Sequence, residues 1–167
     1  MICAKLLLIV TDPEARRRVL ATWREFVIRQ PAEGRGAGPA AGEVDGPVAF
    51  SRLTVREGLD LAVFIADGGW RREYVCQVLA EEVDGWCLLI GDAPEDLAAG
   101  LGLLRLIVDT RPGLVAGTAP GSEDLLREVL QLPRLTPVPI VDCEDAESVT
   151  MVVCELLERL AAIPIPA

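Results

Sequence analysis

Histidine is missing from the chain altogether, and lysine occurs once, as Lys5. Without histidine a Ser-His-Asp or Cys-His arrangement is excluded, and the commonest general base and metal ligand are both gone. Positive charge is scarce as well: 16 Lys and Arg stand against 26 Asp and Glu, for a net charge of −10. A nucleic-acid surface needs clustered basic charge, so this balance argues against one. Long apolar runs are also lacking. The opening run Leu6–Val10 has five residues, far short of the roughly 20 that cross a bilayer as a helix. It has neither a basic start nor a small-residue cleavage site, and reads as a strand, not a signal peptide. Five cysteines (Cys3, Cys76, Cys87, Cys143, Cys154) share no metal-ligand spacing and are odd in number. They fit small buried residues in a reducing cytoplasm.

What is present is an alternation of apolar strands and amphipathic helices over 167 residues, enough for one domain with a full core. Lys5–Val10 is apolar without interruption, as a central strand covered on both faces must be. Asp12, Pro13 and Glu14 then supply an N-cap, a first-turn proline and a dipole-matched acid for a helix to about Ile28. Residues 30–47 are rich in Gly, Ala and Pro without periodicity, and are expected to form a long mobile loop. Val48–Val55 and Leu59–Ile65 flank Arg56-Glu57-Gly58 as a hairpin. Further on, helices are expected over Trp70–Glu82, Pro94–Leu106, Ser122–Leu130 (capped by Ser122) and Asp145–Ala162. Strands are expected at Trp86–Ile90, Leu114–Ala116 and Pro137–Val141. The fold class is therefore α/β, with a mostly parallel six-stranded sheet, one antiparallel edge hairpin and helices on both faces.

Specific stretches carry a resemblance. Phe50-Ser51-Arg52-Leu53-Thr54-Val55 followed by Gly58–Phe64, then Ala80–Ile90, Leu130-Gln131-Leu132-Pro133, and Asp142 to Val149 occur in a telling order and spacing. Together they resemble the small Ras-like GTPases that bacteria encode beside Roadblock-type proteins. The resemblance covers roughly Lys5 to Ala162. It implies a single domain over 1–167 with the Ras-like P-loop fold, and a Roadblock-type protein as partner in bacterial signalling or polarity.

The family's chemistry needs a phosphate loop G-x-x-x-x-G-K-[ST], whose amides wrap phosphates while its lysine and hydroxyl serve charge and Mg²⁺. In register this chain has Asp12, Arg17, Arg18 and Val19 instead. Asp12 should cap the helix with its own carboxylate and repel an incoming anion. Arg16, Arg17 and Arg18 read first as a solvated helix face, and second as leaving Arg18 to grip an anion. No Ser or Thr lies between Thr22 and Ser51 to supply the switch-one ligand. The switch-two segment D-x-x-G-Q becomes Ile65-Ala66-Asp67-Gly68-Gly69, with Gly68 retained and Gly69 in place of the water-orienting residue. Asp67 reads as the start of a turn with Gly68 and Gly69. The base reader N-K-x-D becomes Gly117-Thr118-Ala119-Pro120. Pro120 has no side-chain acceptor for a guanine.

The resulting expectation is a non-catalytic GTPase-like module, a pseudo-GTPase, with no catalytic residue, metal or cofactor. Its docking candidates are Trp70, Arg71, Arg72 and Tyr74, residue types enriched at binding hot spots. Two alternatives stay open. One is a nucleotide-binding GTPase with an altered phosphate loop, holding GTP or GDP through Arg18 and Gly68. The other is a degenerate response-regulator receiver, suggested by Leu7–Arg17, although its acidic pair and downstream lysine are lacking.

Overall fold

A computed structural model of the chain describes residues 2–29, 48–69 and 73–163. The expected mobile loop at 30–47, and Trp70, Arg71 and Arg72, lie outside the described residues.

The chain begins with β1 (Ile2–Val10) and α1 (Pro13–Arg29). A hairpin of β2 (Val48–Arg56) and β3 (Leu59–Asp67) follows, then α2 (Glu73–Glu82) and β4 (Gly85–Ile90). The remaining elements are α3 (Pro94–Ile107), β5 (Gly113–Gly117), α4 (Glu123–Val129) and α5 (Ala146–Ala161). The five strands form one sheet in the order β2-β3-β1-β4-β5. All neighbours are parallel except β2 and β3, which are antiparallel. Gly58 turns the hairpin at φ +81°, a conformation that costs glycine little.

Why β1 is unbroken in its apolar character is clear from what it separates. Leu6, Leu8 and Val10 enter one core, with Val19 and Trp23 of α1 and Val149, Val152 and Leu156 of α5. Leu7 and Ile9 enter the other, with Cys76 and Ala80 of α2, Leu103 and Ile107 of α3 and Leu126 of α4. Each fully buried Leu or Ile contributes on the order of 1.5–3 kcal/mol. The Trp23 indole N–H donates to the Ser51 hydroxyl at 2.6 Å, tying α1 to β2.

Three expectations are corrected. The sixth strand, Pro137–Val141, contributes only an isolated parallel bridge between Gly117 and Ile140. Gly117 N–H donates to the Pro139 carbonyl and Val141 N–H to the Gly117 carbonyl, at 2.9 and 2.8 Å. Pro137 and Pro139 have no N–H, so the ladder cannot extend. Ser122 stands at the N-cap of α4, but its hydroxyl donates back to the Ala119 carbonyl at 2.7 Å and caps nothing. Arg16, read with Arg17 and Arg18 as solvated, is 9 % exposed, because it lies one position after Ala15 on the inward side of α1.

Candidate functional site

Four parallel strands end on one edge of the sheet, and the loops that leave them converge there. Ligands of open α/β sheets bind at this carboxyl edge, where the chain reverses its direction of travel across the sheet. Here the reversal falls at β1, flanked by β3 and β4.

Thr11 closes β1. It is 2 % exposed, its N–H donates to the Leu89 carbonyl at 3.0 Å, and its hydroxyl accepts the Gly91 N–H at 3.2 Å. This staple between the ends of β1 and β4 sets the position of the next residue. Asp12 Oδ1 accepts the Glu14 N–H at 2.9 Å, and the Asp12 carbonyl accepts the Arg16 N–H at 2.9 Å. The expected cap is therefore in place, and the carboxylate sits among the amides that an anion would use.

The other phosphate-loop positions diverge. Arg17 turns outward to Glu14 at 2.7 Å. Arg18 Nε lies 3.5 Å from Glu14 and 3.6 Å from Glu144, bridging α1 to the segment before α5. Val19, where a Mg²⁺-binding hydroxyl would stand, is fully buried in the core.

After β3, Asp67 Oδ1 accepts the Gly69 N–H at 2.8 Å, forming the expected turn. The Gly68 N–H, retained in kind, donates to the Val10 carbonyl at 2.8 Å. A Cβ at Gly68 would stand 2.7 Å from Ile9 Cγ2 and 3.1 Å from Leu103 Cδ1. That close approach to β1 requires glycine for packing alone. Tyr74 is the second residue of α2; its side chain lies outside the described residues, as do Trp70, Arg71 and Arg72.

After β5 the Thr118 N–H donates to the Ile90 carbonyl at 3.1 Å. Gly117 is closely packed: a Cβ there would meet Ile140 and Leu126 at 2.7 and 2.8 Å. Thr118 and Pro120 border a cleft of about 400 Å³, together with Asp12, Arg18, Asp142, Cys143, Asp145 and Ser148. Asp12, Arg18, Thr118 and Pro120 are thus brought to one cleft, whereas Arg17, Val19 and Gly117 do not line it.

Two acidic residues before α5 accept nearby backbone amides, Asp142 within a turn and Asp145 as the N-cap of the helix. Asp142 Oδ1 accepts the Glu144 N–H at 3.0 Å, and Asp145 Oδ1 accepts the Glu147 N–H at 3.1 Å. Asp142 and Asp145 nevertheless face the cleft too, so three carboxylates border it with one guanidinium. Burial, then the neighbouring Asp142, pushes the Cys143 thiol up to about 11. It is neutral near pH 7 and no nucleophile. Beside Gly91, Asp96 has its carboxyl raised by burial first, then by Asp12, Glu95 and Asp92.

Among the described residues, no group of three or more His, Cys, Asp or Glu is disposed to hold a metal. Nor is any helix among them long and apolar enough to cross a membrane. Thr11 and Ser148 were not singled out by their sequence context. A hydroxyl residue directly after an unbroken apolar strand was the available signal for Thr11.

No family model matches the chain, and no curated protein matches it.

Proposed function

We propose that the chain is a non-catalytic, GTPase-like interaction module of the Ras-like fold, a bacterial cytoplasmic protein that docks a Roadblock-type partner. The strand order, with its antiparallel β2 at the border, supports the Ras-like reading, and the bridge at Ile140 stands where a sixth strand would lie. A receiver of the 2-1-3-4-5 order draws no support from this arrangement.

The observation that carries the loss of nucleotide chemistry is the Asp12 cap. The carboxylate takes an α1 amide and confronts any phosphate with like charge. Two unit charges about 6 Å apart at an effective dielectric of about 20 repel by about 3 kcal/mol. The residues present do not fit GTP and Mg²⁺ in other respects. Val19 is buried, Gly69 has no side chain to orient water, and Pro120 offers a base no acceptor. The Gly68 amide is committed to Val10. A site of this kind holds one conformation, and its docking face is read without a nucleotide signal.

Isothermal titration with GTP, GDP and ATP, with and without Mg²⁺, tests the nucleotide half of the proposal. No measurable heat is expected. Binding tighter than about 10 μM, roughly 7 kcal/mol, would favour the altered-loop alternative, with Arg18 as its anion contact. Co-elution with a Roadblock-type protein from the same genome tests the partner, and separate elution at micromolar concentrations would reject it.

A further inference from the structure

We draw no further inference here: the strongest candidate, the cleft at the carboxyl edge of the sheet where the carboxylates Asp12, Asp142 and Asp145 meet the hydroxyls of Thr118 and Ser148, belongs to the site already described, and nothing in the structure shows what would occupy it.

Discussion

Replacing Asp12 by alanine removes two contributions from α1 at once. The Oδ1 acceptor of the Glu14 N–H is lost, which costs about 1 kcal/mol. The charge at the positive end of the helix is lost too, worth about 0.3–1 kcal/mol. Against this, the Asp96 carboxyl is relieved of a neighbour that helps to raise it. Asp12 and Asp96 are both part-exposed, so solvent screening limits that relief to a few tenths of a kcal/mol. The net expectation is a loss of about 1 kcal/mol, or about 2–4 °C in Tm for a chain of this size. Asp12→Asn separates the contributions, because the amide oxygen still caps while the charge is gone. It should remain within about 0.5 kcal/mol of the parent. Trp23 and Trp86 are 4 % and 3 % exposed, so urea unfolding followed by tryptophan fluorescence reports both cores. Asp12→Ala as stable as the parent, or Asp12→Asn as costly as Asp12→Ala, would refute the cap as the role of this residue. GTP should bind neither variant, because freeing the amides restores no base reader.

Gly68→Ala should cost about 1–3 kcal/mol in the same unfolding assay, since its Cβ would press on Ile9, Leu103 and the Val10 carbonyl. Gln131 holds φ 56° just after α4, where its N–H and that of Leu132 bond back to the helix. Gln131→Gly should therefore raise stability by about 0.5–1 kcal/mol, read as a higher urea midpoint with unchanged slope. The raised Asp96 carboxyl means that the folded chain holds this proton more tightly than the unfolded chain does. Its contribution is most favourable at low pH and declines as pH climbs through and above the usual carboxylate range. Asp96→Asn should flatten that part of the pH–stability profile and leave the protein more stable near pH 7, as denaturant titrations across pH would show.

Local chemistry was legible in the sequence wherever one short segment decides the outcome. The unbroken Leu6–Val10 marks a strand buried on both faces, Asp12-Pro13-Glu14 marks a helix start, and Glu57-Gly58 marks a tight turn. Failures arose where a residue had competing partners. The Ser122 hydroxyl had a carbonyl within reach at Ala119 and took it in preference to a cap. Pro137–Val141 is apolar enough for a strand, but its prolines decide the hydrogen bonding. The cleft was the least legible feature. Asp12, Thr118 and Asp142 lie far apart in the chain, and only the parallel strand order brings them together. In the sequence Asp12 reads as a helix cap and Asp142 as part of a loop; their joint charge exists only in the folded molecule.

The central position of β1 has a consequence for how the chain is made. Leu6 pairs with Val63 and Leu8 with Cys87, whereas Val63 finds Ser51 across a two-residue turn. The hairpin closes locally, within about 1–10 μs of leaving the ribosome. The N-terminal strand cannot. Once Leu6 has left the ribosome, roughly 57 more residues must emerge before Val63 does, or about 3–11 s at 5–20 residues per second. Throughout that interval the most buried segment of the finished protein is an exposed apolar strand, a ready ligand for chaperones and for other nascent chains.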